Sequence, residues 1–437
     1  MGEEQIGVAE SVSIALGGMI GGGIFAVLGV VANTSGTAAW IAFLIAGVIA
    51  GCAAYSFVKL NNLTDVGGGP ITCIYAFTES TTLGGIVSWT LLVGYVGTMA
   101  MYAFAFSGYF VELLPIQQVA SVPLRPVVSV GAIASFLGLN LLGARATGRA
   151  EDVLVATKVT ILLLFALGGL WFGLTRGRIS SGLVDLSVGP LIAAAISFVA
   201  FEGWELLLFD QDQMENPKTT ARRAIYISIA GATTIYVLVA IVTTNLVSAQ
   251  EIAVRPETAL AIAAEPFLGQ LGFTLIAVAA LFSTGSAINA TLFSSAEFAT
   301  RLVSHNLLPD RFSDPRADGT HEKPLLVLGT LAALFTAIGS LQGITSFASL
   351  AFITVSGIVS AIAITERQQE EITIAIPVIG LLGTVLTFPL LLWHLYTTKL
   401  GVFVTVVTIA IVVLTVELLY FERESLTDGI SILERAL

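Results

Sequence analysis

Residues 17–25 read GGMIGGGIF, which places five glycines within seven residues of an otherwise apolar stretch. They lie inside an uncharged run over residues 11–32, and about 20 such residues cross the roughly 30 Å hydrocarbon core of a bilayer as a helix. Each glycine weakens a helix by about 1 kcal/mol relative to alanine. Two interpretations follow. Either the segment unwinds and lines protein or a wet cavity, or its small residues let a neighbouring helix pack closely.

The composition of the whole chain is typical of a membrane protein. Of its 437 residues, 56% are hydrophobic and 11% are charged, whereas soluble domains are about 25% charged. Because lipid offers no partner for an open strand and no barrel-type alternation is present, we predict an all-α integral membrane protein with about twelve spans. The predicted spans are residues 11–32, 37–58, 83–111, 126–144, 153–175, 189–209, 224–249, 266–296, 324–341, 343–364, 372–396 and 400–416.

The distribution of lysine and arginine predicts the orientation of these spans. With the N-terminus inside, thirteen basic residues face the cytoplasm and five face the opposite side. By the positive-inside rule, both termini of this multi-pass protein of the cell membrane are cytoplasmic. The net charge of −11 has two interpretations: ordinary solvated loops, or the acidic loops of a salt-adapted, halophilic prokaryote. No basic patch indicates a nucleic acid partner.

Residues that carry enzyme chemistry are scarce. The chain has two cysteines and three histidines, without the spacing of metal ligands. It contains no catalytic triad, P-loop or dinucleotide fingerprint. We therefore predict a protein that is not an enzyme and needs no cofactor or metal; its oligomeric state is not indicated.

Three charged residues lie inside the predicted spans: Lys158 in the fifth, and Glu202 and Glu205 in the sixth. The sixth span reads FVAFEGWE at residues 198–205, so an acid and a glycine interrupt it at mid-depth. The first and sixth spans are five apart, and an odd number of helices makes the second copy of a repeat inverted. Inverted repeats with paired broken helices are common in secondary transporters. The predicted units are residues 1–175, the inverted repeat 176–365, helices 11 and 12 at 366–420, and a cytoplasmic tail at 421–437.

Four motifs resemble those of the amino acid–polyamine–organocation (APC) permeases. They are GGMIGGGIF at 17–25; FVAFEGWE at 198–205 with ENPK at 215–218; ALFSTGSAINATLF at 280–293 with LLP at 307–309; and GRAE at 148–151 leading to Lys158. The fourth is similar to the proton-coupled, sodium-independent branch found in prokaryotes. The resemblance implies a leucine-transporter-like fold, five helices plus five inverted ones, with helices 1 and 6 discontinuous and two additional C-terminal helices.

The resemblance also implies a site for an amino acid substrate. If the first span unwinds at Ile20, Gly21, Gly22 and Gly23, its amides and the positive end of a half-helix can hold the α-carboxylate. Carbonyl groups from Ala200 to Gly203 can accept the α-ammonium, and the aromatic rings of Phe201 and Phe198 can cover the substrate or serve as ordinary core residues. For Glu202 two roles stay open: pairing with a cationic substrate, or capping the amides of the broken helix.

Lys158 has three interpretations: snorkelling to the interface, pairing with a glutamate, or sitting between spans one, five and eight. In the third, its ammonium lies near the Gly17 carbonyl and the Ser283 hydroxyl, with Thr284 alongside, where sodium-coupled relatives hold a cation. The function this predicts is amino acid import by proton symport and alternating access. The alternatives are an exchanger or facilitator, a polyamine or cationic amino acid antiporter, and a non-transporting amino acid sensor.

Overall fold

The computed structural model describes the chain from Ile6 to Phe421, with gaps in several connections. The described residues are 6–63, 74, 76–78, 80–119, 121–142, 148–179, 187–208, 211, 214–304, 308, 321–368 and 372–421. The tail predicted at 421–437 lies outside them from residue 422 onward, as do Leu307 and Pro309 of the third motif.

Twelve long helical segments make up the described chain. They are α1 (Val8–Ser35), α2 (Ala39–Leu63), α3 (Thr81–Glu112), α4 (Leu124–Leu141), α5 (Gly148–Thr175), α6 (Gly189–Ser197, continued by 3₁₀ turns), α7 (Pro217–Leu246), α8 (Glu265–Ser304), α9 (Glu322–Ile338), α10 (Leu341–Thr365), α11 (Ala375–Thr398) and α12 (Leu400–Phe421). Eight stretches are long and apolar enough to cross a membrane, the first of them containing both α1 and α2; the apolar segments Gly189–Phe201 and Leu400–Val416 and the helix α9 are shorter. The prediction of a polytopic all-α protein with about twelve spans is confirmed.

Successive helices alternate in direction, which defines two faces of the bundle. We call the face at which α1 begins the near side and the face at which it ends the far side. On the near side Asn61 Nδ2, close to the end of α2, donates to Gln211 Oε1 at 2.8 Å, after the sixth segment. On the far side Arg255 lies 3.5 Å from Glu112 at the end of α3. Both termini of the described chain therefore lie on the near side.

The far-side connections contain small elements. Two strands, β1 (Gln118–Val119) and β2 (Val122–Pro123), pair antiparallel between α3 and α4. Between α7 and α8 lie the short helices Ala249–Val254 and Ala259–Ile262, separated by the 3₁₀ turn Pro256–Thr258. This turn packs against α1 and α3.

The helices pack in two groups, and the inverted repeat relates the helices within each group. The first group contains α1, α2, α6 and α7, and the second contains α3, α4, α8 and α9. The helix α5 packs against α1, α7 and α8, whereas α10 packs against α6, α2 and α3. When each helix number is shifted by five, the contacts of α5 become the contacts of α10, as expected of a five-plus-five inverted repeat.

Helix 6 is discontinuous, as predicted. The α-helix ends at Ser197, a 3₁₀ turn covers Phe198–Phe201, and Glu202 has an extended backbone (φ −84°, ψ 154°). Gly203 follows with φ +120°, a conformation that residues with a side chain rarely adopt. A second 3₁₀ segment, Trp204–Leu208, completes the crossing.

Helix 1 differs from the prediction of an unwound segment, since α1 runs without interruption from Val8 to Ser35. Its glycines instead permit close contacts. A Cβ on Gly18 would lie 3.0 Å from Gly203 Cα, one on Gly22 would lie 1.8 Å from the Tyr102 ring, and one on Gly23 would lie 2.9 Å from the Ala200 carbonyl oxygen. The alternative interpretation of the glycine stretch, close packing of small residues, therefore describes this conformation.

Candidate functional site

A cavity of about 270 Å³ lies in the near half of the bundle, between α1, α3, the broken helix 6 and α8. Its lining includes Ile14 and Leu154, each the seventh residue of a helix that begins on the near side. Gly17 and Gly18 form the α1 wall, and Glu202 lies at the break in helix 6. The cavity therefore reaches the central segments of both helices from one side of the membrane.

The far half is closed by direct packing. The rings of Phe25 and Tyr109 meet edge to face with centroids 6.2 Å apart, and the Tyr109 hydroxyl donates to the Phe25 carbonyl at 3.3 Å. Further out, the backbone of Pro256 lies so close to Gly29 that a Cβ there would be 1.9 Å from the Pro256 carbonyl oxygen. The conformation is thus one in which the cavity lies on the near side and the far pathway is shut.

Two buried carboxyl groups shape the break in helix 6. Glu205 Oε2 accepts a hydrogen bond from the Gly203 amide at 2.7 Å, and Glu205 Oε1 accepts one from the Tyr95 hydroxyl at 3.4 Å. The side chains of Glu202 and Glu205 lie close enough to each other to interact electrostatically. Glu205 caps the break, so the capping role considered for Glu202 is filled by its neighbour. Glu202, 7% exposed, lines the cavity.

Lys158 reaches α1 from α5. Its side chain is buried, and Nζ donates to the carbonyl oxygen of Gly17 at 3.0 Å. From α8, the Ser283 hydroxyl donates to the Ile20 carbonyl oxygen at 3.3 Å. The structure therefore brings Lys158, Gly17 and Ser283 to one stretch of α1. The Thr284 hydroxyl instead bonds within its own helix, to the Ala280 carbonyl at 2.7 Å.

Most of the other residues predicted for the substrate site are packed in the core. Ile20, Phe198 and Phe201 are almost fully buried and do not line the cavity. The amides of residues 20–23 lie within the continuous helix α1. Gly203 lines the cavity, whereas Ala200 does not, and its carbonyl accepts a hydrogen bond from Tyr236. Only part of the predicted site is thus exposed to the cavity in this conformation.

Tyr236 on α7 is a residue that sequence reasoning missed. Its hydroxyl lies 2.7 Å from the Met19 carbonyl oxygen and 2.9 Å from the Ala200 carbonyl oxygen, and its ring packs on Phe201. One hydroxyl proton thus serves two acceptors, one on α1 and one on the broken helix 6. A single tyrosine in an apolar helix gives no signal of this role, because core aromatics look the same in a sequence.

An inverted repeat of five helices, with a broken helix beside a central cavity, is the architecture of many transporters. The chain belongs to the amino acid permease family, whose model matches residues 6–418, and it is a multi-pass membrane transporter of the APC superfamily. Among the described residues, no group of three or more histidine, cysteine, aspartate or glutamate side chains is arranged to hold a metal ion.

Several known proteins are similar over most of their length. An uncharacterised protein of Methanocaldococcus jannaschii is 33% identical over 425 residues, which is 95% of each chain. The inner membrane transport protein YbaT of Escherichia coli is 31% identical, over 87% of this chain and 88% of its own. Among solved structures, a manganese transporter of Eremococcus coleocola matches with a TM-score of 0.62 over 95% of this chain and 93% of its own. At 15% identity, that match shows the fold alone.

Proposed function

We propose that this permease imports amino acids together with protons by alternating access, and that Lys158 is the coupling residue. The observation that carries the proposal is the buried Lys158 ammonium, bonded at 3.0 Å to the Gly17 carbonyl in the wall of the central cavity. By the positive-inside rule, the near side is the cytoplasmic side and both termini are inside. The cavity then faces the cytoplasm.

The amino acid backbone would bind between the central segments of helices 1 and 6. Local unwinding of α1 at Ile20–Gly23 would free amides for the carboxylate, at a cost that glycine lowers by about 1 kcal/mol per residue relative to alanine. The carbonyl groups of helix 6 would accept the ammonium. The Ala200 carbonyl already accepts from Tyr236, so a substrate ammonium bound there shares the oxygen with that hydroxyl and weakens the bridge between the two helices.

Protonation of Lys158 would control the contact between α5 and α1. A charged ammonium makes a stronger hydrogen bond to a carbonyl than a neutral amine does. Loss of its proton therefore weakens the tether at Gly17 and favours the other conformation of α1. Substrate and proton then act on the same helix, one at Ile20–Gly23 and the other at Gly17, which is one turn away.

The test is uptake of radiolabelled amino acids by proteoliposomes, with and without an imposed pH gradient. We expect accumulation driven by the gradient in sodium-free buffer, and its loss in Lys158→Ala. Lys399→Ala, which removes an exposed lysine at the far-side end of α11, is the matched control and keeps full uptake. A strict sodium requirement, or full proton-driven uptake by Lys158→Ala, contradicts the mechanism.

A second candidate is antiport of cationic amino acids or polyamines, and the position of Glu202 favours it. Glu205 caps the Gly203 amide, while Glu202 lines the cavity; a carboxylate there is suited to a second positive charge on the substrate. Competition and counterflow assays separate the candidates. Preferential inhibition of uptake by cationic amino acids, lost in Glu202→Gln, supports a cationic substrate, and uptake that depends on substrate loaded inside the vesicles supports antiport. Equal inhibition by neutral amino acids in both proteins argues against this candidate.

A further inference from the structure

The break in helix 6 begins at a hydroxyl group that another helix supplies. Ser349 of α10 is fully buried. Its Oγ donates to the Ile196 carbonyl oxygen at 2.7 Å and accepts from the Val199 amide at 3.1 Å. In a 3₁₀ turn these two backbone groups would bond to each other. The Ser349 hydroxyl is thus inserted into the hydrogen-bond ladder of helix 6, which is a recognised cause of helix kinks.

The inverted repeat gives this contact a counterpart. It relates α5 to α10 and α1 to α6, so Lys158 of α5 bonding to Gly17 of α1 corresponds to Ser349 of α10 bonding to Ile196 of α6. The positions correspond with a constant offset. Lys158 is the eleventh residue of α5 and Gly17 the tenth of α1, whereas Ser349 is the ninth residue of α10 and Ile196 the eighth of α6. Both residues of the second contact therefore lie two positions nearer the start of their helix.

We propose that Ser349 is a positioning residue for transport that holds helix 6 against α10 and thereby keeps the far-side pathway closed. Since α6 and α10 both begin on the far side, their contact lies in the far half, just as the Lys158–Gly17 contact lies in the near half. Breaking it lets the Val199 amide bond directly to the Ile196 carbonyl, so the segment at the break in helix 6 separates from α10. The proposal rests on the alternating-access function proposed above.

The test uses cysteine reporters in detergent-solubilised, full-length protein. Both natural cysteines, Cys52 and Cys73, are first replaced by alanine. Thr258→Cys places a far-side reporter at a residue that is fully buried in the turn packed on α1 and α3. Ser294→Cys places a near-side reporter in the wall of the cavity. The initial rate of maleimide labelling is then measured for each reporter.

We expect Ser349→Ala to raise the labelling rate at position 258 by about fivefold, the factor by which one net hydrogen bond shifts an equilibrium. At position 294 the rate should stay the same or fall. Ser349→Thr keeps the hydroxyl and should stay closer to the parent than Ser349→Ala. Ser346→Ala is the matched control, because it removes a buried hydroxyl from the same helix that has no partner in the described residues.

Three results would overturn the proposal: no increase at position 258 with Ser349→Ala, an equal increase with Ser346→Ala, or an increase at position 294 instead. If Ser349→Ala does not fold, the proposal can still be tested by a measurement on the parent protein, which keeps Ser349. In the parent protein, solution conditions that speed labelling at 258 should also change the deuterium exchange rate of the peptide containing Val199, because the Val199 amide then changes its acceptor. Exchange that is independent of labelling contradicts a tether.

Failure of this proposal and failure of the proposed function give different results. The labelling assay contains no substrate, so it tests the tether even if amino acids are not transported. Absence of amino acid uptake with the expected labelling pattern refutes the substrate and leaves the tether intact. Proton-driven uptake with unchanged labelling in Ser349→Ala refutes the tether alone.

Discussion

Helix 1 carries five glycines between Gly17 and Gly23 and is continuous, whereas the central segment of helix 6 carries a single glycine, Gly203, and is broken. Local helix propensity predicts the opposite, a broken helix 1 and a continuous helix 6. The difference lies in the partners that surrounding helices offer. In helix 6 the Ser349 hydroxyl takes both the Ile196 carbonyl and the Val199 amide, and Glu205 accepts from the Gly203 amide.

In helix 1 the neighbours contact carbonyl groups. Lys158, Tyr236 and Ser283 donate to three carbonyls within residues 17–20. A carbonyl oxygen has two lone pairs, so it can accept such a bond and keep its bond within the helix. A helix therefore breaks where side chains replace both partners of its hydrogen-bond ladder, and glycines alone do not break it.

The largest effect is expected when a glycine of α1 that serves packing gains a side chain. In Gly22→Ala the new Cβ would lie 1.8 Å from the Tyr102 ring, which is itself buried. Overpacking of this kind costs about 3 kcal/mol, well above the roughly 1 kcal/mol by which alanine favours a helix. Thermal unfolding of the detergent-solubilised protein should show a clear destabilisation.

Gly84→Ala in α3 is the matched control, since a Cβ there meets nothing within 4 Å. This substitution should be neutral or slightly stabilising. If Gly22→Ala stabilised the protein as well, the glycines of α1 would not be needed for packing. The contrast drawn with helix 6 would then fail.

The second effect concerns the cap of the helix 6 break. Glu205→Ala removes the acceptor of the buried Gly203 amide, and an unsatisfied buried donor costs about 2 kcal/mol. Glu205→Gln keeps a carbonyl oxygen in the same place and should lose much less. The two variants are compared by thermal unfolding, and equal losses in both would show that the charge, and not the cap, supports the break.

The twelve spans and the break in helix 6 were accessible from the sequence for simple physical reasons. Hydrocarbon thickness fixes the length of an apolar run, and charges inside such runs are rare enough to single out Lys158, Glu202 and Glu205. The continuity of α1 could not be predicted from the sequence, because a cost of about 1 kcal/mol per glycine is small compared with the free energy of tertiary packing. Tyr236 and Ser349 gave no signal, since their roles depend on which helices become neighbours.

The third prediction tests the link between the two helices. Tyr236→Phe removes the hydroxyl shared by the Met19 and Ala200 carbonyls, at a cost of about 1 kcal/mol for one net hydrogen bond. Tyr226→Phe, at a partly exposed position on the same helix, is the control and should change little. If the proposed substrate site is correct, Tyr236→Phe also lowers the KM for amino acid uptake, because the ammonium no longer shares the Ala200 carbonyl oxygen with the hydroxyl. An unchanged KM would argue that Ala200 does not accept substrate.

The smallest effect is expected at the far end of α1, where the turn Pro256–Thr258 packs on Gly29. Burial raises the pKa of Glu257 in this turn, although the nearby guanidinium groups of Arg125 and Arg255 oppose the shift. The folded protein therefore favours the protonated carboxyl, so stability present below the usual glutamate pKa of about 4.3 is lost as pH rises towards the raised pKa. The Glu257→Gln variant has no carboxyl group at this position to ionise. Its melting temperature should rise relative to that of the parent as pH increases through that range, and the difference should stay constant above it. A difference that does not vary with pH would show that Glu257 contributes packing alone, and that the far end of α1 is closed by shape and not by charge.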